Sequence, residues 1–153
     1  MELLANSQLR WERYTGNPEQ QDRSFNWPID YSGAILDIRD DGHVEVLYRW
    51  APNSYCHFHR HTAPTSSIVL EGELHVTDVI DGELQEVRVR KVGDWSHSPH
   101  TEDHMEKGGP EGALVLFQIH SVDGVLSQRI DRKGNVRNTI TIDDLRRKAG
   151  AVV

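Results

Sequence analysis

His57, His59 and His61 alternate through Tyr55-Cys56-His57-Phe58-His59-Arg60-His61, and a second group, His97, His100 and His104, follows further along the chain. In a β-strand successive side chains point to opposite faces, so residues two apart project the same way and two imidazoles can grip one ion. A metal centre is the first chemistry this pattern suggests.

The surrounding sequence must supply strands to hold such a centre. From 33 to 130 the chain reads as short β-branched and apolar runs separated by turn signals, the spacing of a sandwich or barrel. Val44 to Trp50 alternates, with Val44, Val46, Tyr48 and Trp50 on one face. Ile68 to Leu70, Glu73 to Val79, Leu84 to Val89, Ala113 to His120 and Leu126 to Ile130 are the other expected strands. Asp41-Gly42 and Asp81-Gly82 are the strongest hairpin signals, because glycine supplies the positive φ of a tight turn. Residues 1–32 are polar with scattered aromatics (Trp11, Tyr14, Phe25, Trp27, Tyr31) and read as an arm that packs on the barrel or on a second subunit. In the tail, 131–153, Thr141 precedes Ile142-Asp143-Asp144-Leu145-Arg146-Arg147-Lys148, a short helix with a capping threonine, acids in its first turn and bases in its last.

Composition bounds the rest. A chain of 153 residues fits one domain. A formal charge of -7 and a pI near 5.7 argue against a nucleic-acid surface, and the one basic run, Arg146-Arg147-Lys148, reads as helix-end complementarity. Cys56 is the only cysteine, so no intramolecular disulfide is possible. The opening residues show no signal-peptide pattern and no segment reaches membrane-spanning length, so a soluble cytoplasmic protein is expected.

The two histidine segments match a known pair of motifs. Gly72 closes the first; counting back from it puts an H-x-H pair at His59 and His61 and a glutamate position at Thr65. Gly93, Pro99 and His104 fall at the separations of the second. In this order and spacing the chain resembles the cupin superfamily. The resemblance implies an all-β fold, a cupin jelly-roll β-barrel, here with an N-terminal arm and a short C-terminal helix. It also implies that His59, His61 and His104 hold a divalent ion in the barrel mouth. Thr65 stands where cupins carry the metal-binding glutamate, Thr101 and Asn53 replace motif glycines, and Gly108 replaces the asparagine. Threonine is a poor substitute for a carboxylate ligand, but can hydrogen-bond a bound water or substrate. A centre of three histidines is similar to that of acetylacetone-cleaving and thiol dioxygenases, which use ferrous iron; zinc or nickel is equally legible in the same ligands.

The remaining residues carry competing readings. His57 shares strand parity with His59, so a His57–His59 pair is an alternative, although it breaks the spacing to Gly72; a pocket-lining role suits it better. Glu106, two residues past His104, would face the metal on a continuing strand as a ligand or general base, but reads first as a solvated charge near Gly108-Gly109. His97 and His100 either line the pocket entrance or sit in an exposed loop. Cys56, of opposite parity, is expected as a small buried residue, and Trp50, Trp95, Leu116 and Phe117 as core. Arg60 should face outward.

The resulting expectation is a metal-binding cupin, an Fe(II) dioxygenase of a small diketone, hydroxyketone, thiol or related acid. A non-enzymatic metal or ligand sensor and an oxygen-independent zinc or nickel lyase or isomerase are the alternatives. The expected partners are a small-molecule substrate and a second copy in a homodimer, with neither nucleic acid nor membrane.

Overall fold

The computed structural model describes residues 6–16, 28–99 and 101–150. Eleven strands form a curled sheet that closes towards a barrel: β1 (Glu12–Gly16), β2 (Ile29–Ile38), β3 (His43–Trp50), β4 (His59–His61), β5 (Thr65–Ile80), β6 (Glu83–Leu84), β7 (Arg88–Lys91), β8 (Trp95–Ser98), β9 (Glu102–His120), β10 (Val125–Ile130) and β11 (Val136–Thr141). One helix, α1 (Ile142–Gly150), follows. Along one path the strand order is β1-β2-β3-β9-β4-β10-β11, and β5 pairs with β6, β7, β8 and β9. This is the jelly-roll barrel anticipated from the motifs.

The alternation of β3 decides the inside of the barrel: Val44, Val46 and Trp50 are buried and join Val69, Leu74, Val76, Val115, Phe117 and Leu126 in one core. A smaller core forms from Phe58, Val79, Met105 and Ile130. The hairpin glycines behave as their turns require, with φ of 91° at Gly42 and 78° at Gly82.

Several expected strands are longer than their apolar runs. Ile68–Leu70 and Glu73–Val79 are one strand, β5, which passes through Gly72 in a left-handed conformation (φ 66°). A Cβ there would lie 2.1 Å from the Gly112 carbonyl oxygen, so only glycine lets β5 and β9 bend together at this contact. Ala113–His120 is likewise only the second half of β9, which begins at Glu102 and runs through Gly108-Gly109-Pro110. Leu84–Val89 instead splits into β6 and β7.

Beyond the expected barrel limits, β2 begins at Ile29, β1 pairs with it antiparallel, and β11 pairs with β10. Helix α1 is capped as its sequence indicates. The Asp144 amide donates to Thr141 Oγ1 (3.2 Å), and the Thr141 amide donates to the Asp144 carboxylate (2.9 Å). Phe25, Trp27 and His100 lie outside the described residues.

Candidate metal centre

Strand β4 lies between β9 and β10, with His59 directly opposite His104 on one side and Arg129 on the other. Directly opposed residues project to the same face, and so do residues two apart, so His59, His61, His104 and Glu106 converge from two adjacent strands. His59 Nε2 lies 3.0 Å from Nε2 of both His61 and His104. Glu106 Oε1 lies 3.2 Å from His59 Nε2 and 3.5 Å from His104 Nε2.

These residues fit a divalent ion. His59 Nδ1 is 2.8 Å from the His57 carbonyl oxygen, which can only accept, so Nδ1 carries the proton and the Nε2 lone pair faces the cluster. Nitrogen lone pairs aimed at one another across 3.0 Å repel unless a proton or a cation lies between them. Three nitrogens and one carboxylate oxygen suit manganese, iron, nickel or zinc. The Nδ1 atoms of His61 and His104 are buried without a hydrogen-bond partner among the described residues. The Glu102 carboxylate, 3.8 Å from His104 Nδ1, is too distant to hydrogen-bond to it.

The electrostatics favour a cation as well. Burial alone would push the Glu106 carboxyl up, but the His104 and His59 imidazoles hold it well below the usual carboxylate range, so a buried anion faces the cluster. Burial, reinforced by the neighbouring His59 and His104, holds His61 neutral. Burial also disfavours a charge on His59, but Cys56 and Glu106 oppose it and raise that imidazole.

His59, His61 and Glu106 of the cluster line a cavity of about 110 Å³. Trp50, Phe117, Leu126 and the phenol rings of Tyr31 and Tyr48 supply its apolar surface, and Leu145 of α1 also lines it. Lys148 and Tyr14, joined at 2.8 Å, add a residue each from α1 and β1 to the same wall. Tyr31 Oη is 2.9 Å from His57 Nδ1, which puts His57 on the wall next to the cluster. Burial, then the charges of Arg129 and His59, lower the His57 pKa to about 4.

Glu106 overturns its reading as a solvated charge: it is 2% exposed, because β9 stays paired with β5 from His104 through Gly108 and becomes irregular only beyond it. The carboxylate missing at Thr65 thus enters from the second motif's strand. Thr65 itself is buried and its hydroxyl donates to the Ala63 carbonyl (2.9 Å); it belongs neither to the four-residue cluster nor to the cavity wall. Cys56 is buried as expected, but its thiol is on the cavity wall, 3.5 Å from the Glu106 carbonyl and 3.7 Å from His59 Nδ1. Strand parity did not foretell this because β4 begins only at His59.

His97 is exposed on β8, 2.8 Å from Ser66 Oγ and stacked on Trp95. Trp95, expected in the core, is 65% exposed: β8 is an outer strand paired with β5, and its tryptophan lies on the far side from the core. Arg60 faces away from the cluster and holds Asp103 through two hydrogen bonds. Arg129, Tyr31 and Lys148 were not singled out from sequence. An arginine inside the apolar run Val125–Ile130 was the one available signal, and without the strand order it had no face.

No protein-family model matches the chain, and no curated protein does. Solved structures do. A candidate acetylacetone dioxygenase from Methylibium petroleiphilum PM1 superposes with a TM-score of 0.70 at 12% identity, covering 97% of this chain and 93% of that one. The acetylacetone dioxygenase of Acinetobacter johnsonii gives 0.65 at 13% identity, over 82% and 80%. A cupin-2 domain from Rhodospirillum rubrum gives 0.59 at 11% identity, over 98% and 86%. Likeness of shape at such low identity speaks to architecture alone, and this chain has the cupin fold.

Proposed function

We propose that this protein is a mononuclear non-haem Fe(II) dioxygenase acting on a small diketone, hydroxyketone, thiol or related acid. The observation that carries the reading is the convergence of three Nε2 atoms and one carboxylate oxygen, with His59, His61 and Glu106 lining a small aromatic cavity. The two neighbours named as acetylacetone dioxygenases support the class by analogy of fold.

His59, His61 and His104 would hold the ion, with Glu106 as a fourth donor. A ferrous ion bound there supplies Lewis acidity towards a chelating substrate and electrons for the reduction of oxygen. The remaining work falls to the side chains. The His57 carbonyl keeps His59 in the tautomer that ligates. Where it does not ligate the ion, Glu106 Oε1, the one carboxylate on the described cavity wall, is placed to accept the proton that a diketone or hydroxyketone loses on binding as an anion. Trp50, Phe117 and Leu126 keep water from the substrate, and the cavity volume of about 110 Å³ favours a small molecule.

Glu106 also supports a second reading. An octahedral ion held by three imidazoles keeps three positions for a chelating substrate and oxygen; a bound carboxylate leaves two. With Glu106 ligating, those two suffice for substrate alone, as in an oxygen-independent zinc or nickel lyase or isomerase.

Elemental analysis of protein purified without added metal, followed by oxygen uptake over a panel of diketones, hydroxyketones and thiols, tests both readings. Bound iron with substrate-dependent uptake supports the dioxygenase. Turnover of the same panel under strict anaerobiosis moves the assignment to the lyase or isomerase. Stoichiometric metal with no turnover in either atmosphere rejects both in favour of a metal or ligand sensor.

A further inference from the structure

Arg129 is the group the metal reading leaves unused. It lies on β10 directly opposite His59 in the β4–β10 pairing, so its side chain leaves the sheet on the face that carries the cluster, and it lines the same cavity. Adjacent strands are about 4.8 Å apart, so its backbone lies beside that of His59, and its charge acts on His57 on the same cavity wall.

An arginine is always charged and presents a planar fork of donors that matches a carboxylate in two parallel hydrogen bonds. Elsewhere in this chain that fork is used: Arg13 holds Asp30 and Arg60 holds Asp103 through two hydrogen bonds each, while Arg88 and Arg137 hold Asp78 and Asp131 through one. With 24 acidic residues against 17 basic ones, carboxylates are in surplus. The Arg129 side chain nevertheless has no ion pair or hydrogen bond among the described residues. The one carboxylate on its cavity wall, Glu106, is committed to the imidazoles of His59 and His104. The second cation there, Lys148, is satisfied by Glu12 and the Tyr14 hydroxyl. A half-buried guanidinium on the wall of an aromatic-lined cavity, with no counter-ion among the described residues, is placed to receive an anionic ligand.

We propose that the substrate of this site carries a carboxylate, which Arg129 binds in its fork while the adjacent oxygens of the same molecule face the metal ligands. The inference rests on the reading of the cluster as a substrate-binding metal centre and narrows its substrate class to small keto, dioxo or hydroxy acids. A neutral diketone leaves Arg129 unpaired. The cavity is small, about 110 Å³, so the carboxylate is expected to adjoin the chelating oxygens.

The test compares two probes by anaerobic calorimetry on zinc-loaded protein, where no oxidation takes place. They are acetylacetone and acetylpyruvate, the same diketone bearing a terminal carboxylate. Acetylpyruvate is expected to bind about tenfold or more tightly than acetylacetone to the wild type, and Arg129→Gln to lower that ratio by about tenfold, the range of a charge-assisted pair. Arg129→Lys, which keeps charge without the fork, falls between. If Arg129→Gln does not fold, as judged by thermal melting, Arg129→Lys decides: an unchanged ratio overturns the proposal and a lowered one supports it. Equal affinities in the wild type, or a ratio preserved in Arg129→Gln, overturns it. An Arg129-dependent ratio in zinc protein together with no oxygen uptake in iron protein would reject the dioxygenase and retain the carboxylate site.

Discussion

The pairing of β4 with β9 has two faces that share one backbone ladder. On the inner face His59 meets His104; on the outer face the next pair in register is Arg60 with Asp103. The outer pair is complete in itself, with guanidinium and carboxylate joined at 2.6 and 2.8 Å and each side chain about a quarter exposed. The inner pair is incomplete: Nε2 atoms face each other at 3.0 Å beside a buried carboxylate. The same hydrogen-bonded ladder therefore carries a solvated ion pair that water could replace at little cost and a donor set that only a cation or shared protons can satisfy.

If the inner face is a metal centre, removing a ligand is the most damaging change to it. His59→Ala or His104→Ala should lower metal affinity by more than about 100-fold, beyond the usual effect of changing a group behind the ligands. Chelator competition measures it, and retention of near-wild-type affinity in either variant would break the contrast between the faces.

Glu106→Gln keeps the shape and an oxygen donor but removes the charge. A fall of about 10- to 100-fold in metal affinity by the same competition is expected if the carboxylate ligates. An affinity unchanged alongside lost turnover would place Glu106 as a proton acceptor and leave three histidines as the whole ligand set.

A pH effect separates the faces next. His57, depressed to about 4 by burial and then by Arg129 and His59, is neutral in the folded metal-free protein while the unfolded chain takes up a proton at its ordinary pKa of about 6.5. The unfolded state therefore binds more protons between these values, and the stability this neutral histidine permits is lost as pH falls from about 6.5 towards about 4. Denaturant melts of metal-free protein should show a shallower slope in that window for His57→Phe than for wild type.

The smallest effect belongs to the outer face. A double-mutant cycle on Arg60→Ala and Asp103→Ala should give a coupling of about 0.2–1 kcal/mol, falling with salt, and leave metal affinity unchanged. A coupling of several kcal/mol, or loss of metal, would show that the outer pair braces the inner one.

Much of this was legible in the chain. His59 and His61 share a face by strand parity alone, the two motifs located His104, and the hairpin glycines and the capping Thr141 did what their types dictate. Glu106 had the right parity as well, but near Gly108-Gly109 it read first as a solvated charge, and only the extended β9 keeps that parity valid through residue 106. Trp95 was misplaced because an aromatic residue in a short strand says nothing about which side of the sheet is covered.

Local sequence determined which residues alternate, where the chain turns and which side chains could ligate, since these follow from backbone sterics and spacing within a few residues. Tertiary structure decided what those faces meet. The pairing of β4 with both β9 and β10 brings His104, Glu106 and Arg129 against His59, and Cys56 and Tyr31 reach the same cavity from segments outside those strands. Such contacts join residues far apart in the chain, and their register is set by the burial of whole strands rather than by any local run of residues.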